Sequence, residues 1–137
     1  MNRFFISSLF AFLLVSVSSA HATTAGELRA NCAFAAPLLN VNDANNAIKA
    51  GFCLGYVTGV VQAYNNLYVA QADGKIRQAH INDDTTCAQA VRIFKKYIDD
   101  HPELKNEQAK DVIAASLVEA NLLFFTELKT APPAQVH

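Results

Sequence analysis

Three glycines recur at every fourth position near the middle of this chain, at Gly51, Gly55 and Gly59. On an α-helix this spacing places all three on one side, where they leave a shallow groove. A glycine inside a helix costs roughly 1 kcal/mol relative to alanine, so three in register require a compensating contact. The usual compensation is a second helix that lies very close. We therefore predict that this glycine seam packs against a neighbouring helix, where a leucine at position 55 would be too large.

The first twenty-two residues have the features of a secretory signal peptide. Arg3 supplies a positive charge, an apolar run covers residues 4–17, and Ala20-His21-Ala22 fits the small–any–small pattern of a cleavage site. The apolar run is shorter than the roughly 20 residues that a membrane-spanning helix needs. We therefore expect export with cleavage after Ala22, a periplasmic location, and a single domain over residues 23–137.

The patterning after the signal peptide predicts helices almost throughout. Thr24 and Glu27 form a capping box at the start of a first helix, and a long apolar helix follows over residues 47–72. Two later helices have clear apolar stripes, one over residues 109–124 and one at Cys87, Ala90, Val91, Phe94 and Ile98. These patterns predict an all-α fold, a compact bundle of four to five helices around the central glycine-rich helix. We expect the tail after about residue 130 to be disordered.

Three cysteines follow the signal peptide, at Cys32, Cys53 and Cys87. In an oxidising compartment, one disulfide that staples the bundle and one free thiol are the simplest arrangement. We favour the pair Cys53–Cys87, because the connection after the central helix is long enough to bring the next helix back alongside it. The pair Cys32–Cys53 is the alternative, since the first two helices form a hairpin.

A long polar connection over residues 73–86 follows the central helix, and loops of this length often carry function. Its side chains can hydrogen-bond to a partner protein, and the candidate partner-binding residues are Lys75, Arg77, His80, Asn82, Asp83 and Asp84. One alternative is that the segment only spans the distance between two helices. Another is that a partner contacts the exposed face of the next helix, around Arg92, Lys95 and Lys96.

The sequence offers little support for catalysis. Ser116 is the one serine after the signal peptide, and it falls on the apolar stripe of the last helix. The histidines His80, His101 and His137 show no i, i+4 pair, and no Cys-x-x-Cys cluster accompanies them. A formal net charge of −1 gives no basic field for nucleic acid. We therefore predict a binding protein that is not an enzyme and uses neither a metal nor a cofactor.

Two sequence elements resemble the Rap/Tai family of immunity proteins, small periplasmic proteins that protect bacteria against type VI secretion effectors. The first is Gly-Phe-Cys-Leu-Gly-Tyr-Val-Thr-Gly-Val over residues 51–60, and the second is Tyr-Ile-Asp-Asp-His-Pro-Glu over residues 97–103. The resemblance covers about residues 27–122. It implies an all-α domain, commonly homodimeric, that binds a papain-like peptidoglycan amidase and occludes its active site with a protruding loop and the adjoining helix surface.

Two functions therefore stand against each other. The first is an immunity protein that blocks a secreted amidase, and the second is a small periplasmic helical binding protein or acid-stress chaperone. A neighbouring gene for an amidase would favour the first.

For a dimer contact, the candidates are Tyr64 and Tyr68, four residues apart on the central helix, and packing of both inside one protomer is an equal alternative.

Overall fold

The computed structural model describes residues 22–35, 43–65 and 67–128, and within them four helices share one core with a small sheet beside it. The helices are α1 (Ala25–Cys32), α2 (Ala44–Tyr64), α3 (Cys87–Asp100) and α4 (Ala109–Glu119), with a short 3₁₀ helix at Pro102–Asn106. The strands are β1 (Tyr68–Ala70), β2 (Ile76–Ile81) and β3 (Leu123–Glu127), antiparallel and in the order β1-β2-β3. The all-α prediction is therefore wrong, because the fold mixes helices with a three-stranded sheet.

A buried disulfide joins α1 to the middle of α2. It links Cys32 and Cys53, both fully inaccessible to solvent. The favoured pair Cys53–Cys87 is not formed, and the alternative pair is. Cys87 is a free thiol at the start of α3, where its Sγ accepts a hydrogen bond from Thr58 Oγ1 at 3.1 Å and lies 3.6 Å from the carbonyl oxygen of Leu54. The third cysteine therefore packs against α2 and hydrogen-bonds to it without forming a disulfide.

The glycines of α2 face away from the core. A Cβ built on Gly51, Gly55 or Gly59 meets no atom within 4 Å in the rest of the described chain. The predicted close contact with another helix of the same chain is therefore absent there. Two large apolar side chains flank the glycines, Ile48 at 69% and Phe52 at 44% exposure. We call these five residues of α2 the glycine face.

The strand β2 occupies six residues in the middle of the predicted polar connection. The pairing register places Arg77, Ala79 and Ile81 on one face of the sheet and Ile76, Gln78 and His80 on the other. Its apolar residues therefore do not share a face, and the alternation that would have identified a strand is missing. Ala79 and Ile81 are buried on the side that faces the core.

The strand β3 occupies the end of the stripe that predicted a helix over residues 109–124. Helix α4 stops earlier because Asn121 adopts a left-handed conformation with φ of 56°. The amide of Leu122 then donates to the carbonyl of Leu117 at 2.9 Å, which closes the helix end as a left-handed cap does. The chain leaves this turn in an extended conformation and pairs with β2. Asn121 was the available stop signal, and the apolar residues beyond it concealed the change.

Several local predictions are confirmed. The capping box at Thr24 and Glu27 is formed. At the start of α3 the Thr86 hydroxyl accepts from the amide of Gln89, a cap that was not predicted. The predicted core face of α3 is buried at Ala90, Val91, Phe94 and Ile98. Helix α2, in contrast, ends at Tyr64 and not near residue 72, and β1 begins four residues later. No helix in the described ranges combines the length and apolar character that crossing a membrane requires.

The disulfide makes a specific stability prediction. Its two cysteines are 21 residues apart, so it closes a loop whose lost entropy in the unfolded chain corresponds to about 3 kcal/mol. We expect the double variant Cys32→Ala/Cys53→Ala to lose about that much free energy of unfolding in urea denaturation. Cys87→Ala, which leaves the bridge intact, serves as the control. An equal loss in both variants would contradict the bridge seen here.

A bidentate ion pair makes a pH-dependent prediction. Arg29 Nε and Nη2 donate to the two carboxylate oxygens of Asp99 at 2.9 and 2.8 Å, which joins α1 to the end of α3. These hydrogen bonds hold the pKa of Asp99 below its ordinary 3.8. The pair therefore stabilises the fold above about pH 4, and its contribution disappears as the pH falls through the lowered pKa. Because Asp99 is 54% exposed, we expect at most about 1 kcal/mol.

The measurement compares the wild type with Asp99→Asn by thermal unfolding between pH 2 and pH 7. The stability difference should be present at pH 7 and should vanish near pH 2. Asp83→Asn is the control, since the Asp83 carboxylate forms no ion pair within the described part of the chain. A difference that persisted unchanged at pH 2 would show that Asp99 acts through something other than its charge.

Candidate functional site

The six predicted partner-binding residues lie at two ends of β2. Lys75 precedes the strand at the tip of the hairpin, and Asn82, Asp83 and Asp84 follow it in a turn before α3. At about 3.3 Å per extended residue, Lys75 and Asn82 are about 23 Å apart along the strand. One small patch therefore does not contain all six residues.

An open crevice of about 380 Å³ gathers half of them. It lies where β2 ends, between the C-terminal end of α2 and the start of β3. Three predicted residues line it together with three that were not predicted: His80, Asn82, Asp83, Asn65, Ile81 and Phe124. We call this the sheet-end crevice. It is the candidate functional site because it combines exposed polar groups with an exposed aromatic ring.

His80 is held in place by β3. Its ring stacks on Phe124 at 5.6 Å between centroids, and its Nε2 lies 2.9 Å from Thr126 Oγ1. Both neighbours lie on the same outer face of the sheet, which the pairing of His80 with Phe124 requires. The imidazole is therefore a fixed part of the crevice wall.

The turn after β2 is ordered by its own hydrogen bonds. Asn82 Oδ1 accepts from the amide of Asp84 at 3.1 Å, and the carbonyl of Asn82 accepts from the amide of Thr85 at 2.9 Å. Asn82 therefore shapes the turn as well as lining the crevice. The carboxylates of Asp83 and Asp84 are exposed, and within the described ranges they form no hydrogen bond or ion pair. They are the groups of this turn that are available to a partner.

The other two predicted residues have structural surroundings of a different kind. Lys75 Nζ lies 2.9 Å from Glu127 Oε2 and ties the hairpin tip to β3. Arg77 lies half-buried on the face of β2 that turns toward the core. The alternative surface on α3 carries the exposed Arg92, while its Lys96 is paired with Asp100 one turn away.

No metal site is apparent in this region. Within residues 22–35, 43–65 and 67–128, no three histidine, cysteine, aspartate or glutamate residues are grouped so that they could hold an ion. The other histidine considered for catalysis, His101, lies beside the Tyr97 ring and 3.2 Å from Glu103 Oε1. That contact lowers the pKa of Glu103, after the larger effect of its own backbone amide.

Sequence reasoning missed Asn65 and Phe124. Phe124 was assigned to the buried stripe of the last helix, and Asn65 to the interior of the central one. Both become part of the crevice because α2 and α4 end early and the strands that follow pair across the sheet. The signals that could have located them are Asn65 itself as a helix-ending residue and Asn121 in the same role.

Comparison of the sequence with known protein families gives one match. Residues 24–121 match the family model described as Rap1a immunity proteins. This range covers all four helices and every lining residue of the sheet-end crevice except Phe124. The searches of curated proteins and of solved structures gave no significant match. Since the family model spans well over half of the sequence, the chain belongs to the Rap1a immunity proteins.

Proposed function

We propose that this protein acts in the periplasm as an immunity protein, and that it binds a type VI secreted peptidoglycan amidase and covers its active site. Membership of the Rap1a immunity proteins indicates an immunity function against a secreted effector. The resemblance of residues 51–60 and 97–103 to the Rap/Tai family supports an amidase as that effector. The signal-peptide pattern of residues 1–22 supports the periplasm as the place of action.

The observation that carries the proposal is the rigid acidic turn beside the sheet-end crevice. A turn held by its own hydrogen bonds loses little conformational entropy when a partner binds. The Asp83 and Asp84 carboxylates remain free to accept hydrogen bonds from the effector. Phe124, 48% exposed, supplies apolar area next to them. An exposed aromatic ring beside unpaired polar groups is typical of the few residues that dominate binding energy.

The test begins with capture of the effector. Immobilised wild-type protein should retain a secreted hydrolase from a culture with an active type VI system, and it should inhibit that hydrolase on peptidoglycan at a one-to-one ratio. The triple variant His80→Ala/Asp83→Ala/Asp84→Ala should bind the hydrolase at least a hundredfold more weakly, about 2.7 kcal/mol, by calorimetry. The two carboxylates make no contact in the described ranges, so the triple variant's loss of unfolding free energy should equal that of His80→Ala alone, which removes the stack on Phe124 and the contact with Thr126.

The matched control is Arg92→Ala/Lys95→Ala on α3. If this pair weakens binding and the triple variant does not, the inhibitory surface lies on α3 and the crevice proposal is wrong. If the wild-type protein neither retains nor inhibits a peptidoglycan hydrolase, the amidase assignment fails.

We also propose that the protein is a homodimer whose two copies meet through the glycine face. Helix α2 contains one charged residue, Lys49, and its ammonium group lies 5.0 Å from the centroid of the Phe34 ring, away from that face. The glycine face is thus uncharged, with grooves at its glycines and projections at Ile48 and Phe52. Two copies related by a twofold axis can place the projections of one in the grooves of the other. Of the two tyrosines predicted for a dimer contact, Tyr64 packs against the core of its own protomer. Tyr68 is exposed, but it lies in β1 and not on α2.

Gly55→Leu tests the dimer. Nothing within the described chain lies near a side chain at position 55, so the variant should fold normally and gain helix propensity. It should nevertheless block the close approach of a second α2. We expect a dimer mass for the wild type and a monomer mass for the variant in light scattering at high micromolar concentration. Ala88→Leu, which places the same side chain at an exposed position of α3, should remain dimeric. A monomeric wild type would refute the proposal.

A further inference from the structure

The outer edge of β3 has main-chain groups that no described strand pairs. At the two ends of its pairing with β2, the amide of Asn82 donates to the carbonyl of Leu122 at 2.9 Å and the amide of Leu128 donates to the carbonyl of Ile76 at 3.0 Å. Hydrogen-bonded pairs alternate along an antiparallel ladder, so Phe124 and Thr126 share the bonds in between. The amides and carbonyls of the other three strand residues point to the opposite side, at Leu123, Phe125 and Glu127.

This edge lacks the features that usually protect an edge strand. Proteins block such edges with proline, lysine, bulges or very short strands. The sequence of β3 is Leu-Phe-Phe-Thr-Glu, and its register with β2 is continuous over five residues without a bulge. Its one charged side chain, Glu127, is already bound to Lys75 across the paired side of the sheet. The opposite edge strand, β1, has only three residues.

Aromatic side chains flank the same edge on both faces of the sheet. Phe124 is 48% exposed on the outer face, and Phe125 is 41% exposed on the inner one. A strand laid beside β3 would cover part of both rings while it paired the free main-chain groups. Both gains come from one binding mode, the addition of an extended segment to a sheet edge.

We propose that β3 binds an extended segment of the cognate effector, which becomes the fourth strand in the order β1-β2-β3-effector. This inference rests on the proposed function, because the partner is the effector of an immunity protein. The main-chain bonds extend over about 17 Å, or five residues of the segment. Apolar side chains of the segment contact Phe124 and Phe125. Near the beginning of β3, a lysine or arginine of the segment pairs with Asp83, which lines the sheet-end crevice together with Phe124.

The effector fits this edge better than a second copy of the chain does. An antiparallel β3–β3 pair with its twofold axis at Phe125 places Glu127 beside Leu123 of the other copy, and it leaves each Asp83 without a basic partner on the neighbouring strand. A basic segment of the effector satisfies that carboxylate. The crevice and the edge also share Phe124, so one extended segment can occupy both.

Proline at position 125 tests the main-chain contact. Phe125→Pro and Phe125→Ala both remove the ring, but only proline removes the outward amide and places its ring atoms where the added strand would lie. Since that amide makes no bond to β2, proline is tolerated at such an edge position. We expect Phe125→Pro to bind the captured hydrolase at least thirtyfold more weakly than Phe125→Ala, with similar melting temperatures. Thr126→Pro, whose amide points to β2, should lower the melting temperature sharply.

Hydrogen exchange supplies a measurement that does not depend on the stability of a variant. In the free wild-type protein the Phe125 amide should exchange at least a hundredfold faster than the Phe124 amide, and it should become protected in the complex with the hydrolase. Protection of Phe125 already in the free protein, or its continued fast exchange in the complex, would overturn the proposal. So would equal affinities of the proline and alanine variants, and this result would leave the immunity function intact.

Two other outcomes are equally informative. If Phe125→Pro loses the dimer mass and Phe125→Ala keeps it, β3 joins two copies of the chain. This result would overturn the assignment of the edge to the effector. Failure of the wild type to bind any peptidoglycan hydrolase would refute the proposed function, and the inference about β3 with it.

Discussion

The buried bridge between Cys32 and Cys53 is the constraint on which the arrangement of the other elements depends. It fixes α1 against the middle of α2 and removes both sulfurs from solvent. Main-chain hydrogen bonds extend this attachment to the beginning of α4, from the amide of Ala25 to the carbonyl of Glu107 and from the amide of Ala109 to the carbonyl of Thr23. Helices α3 and α4 then pack on the remaining core side of α2. The described elements leave the opposite side of α2, its glycine face, open to solvent.

What the sequence could predict was local. A capping box and an apolar stripe over four turns each act within one helix, and both were predicted correctly, at Thr24 and along α3. The family resemblance was also confirmed. The glycine spacing identified residues that share one side of α2, but the contact predicted for that side is absent within the described chain. That absence was not predictable, because a helical period fixes which residues share a side and does not fix what lies opposite.

The sheet could not be predicted because its evidence is non-local. The apolar residues of β2 divide between two faces, and those of β3 continue the helical stripe of α4. Pairing between residues that lie 42 to 50 positions apart decides their conformation, and no short window of sequence contains that information. The candidate site was predicted only in part, for the same reason. Three residues of the crevice were identified from one polar segment, whereas Asn65 and Phe124 reach it only through the ends of α2 and the pairing of β3.

The strand in place of a loop lowers the entropy that binding at the proposed surface would cost. A flexible connection of fourteen residues would lose much conformational entropy on ordering against an enzyme cleft. In this fold β2 is already paired on both sides, His80 is already stacked, and the turn at Asn82 is already closed by its own hydrogen bonds. The entropy is lost during folding, so the contact energy of Asp83, Asp84 and Phe124 is available for affinity.

The two proposed surfaces also differ in kind. The glycine face depends on side-chain packing without charge, while the β3 edge depends on main-chain groups and one carboxylate, so each selects its own partner. A dimer formed through α2 would keep both β3 edges free and would bind two effector molecules independently. Binding would become cooperative only for an effector that is itself paired.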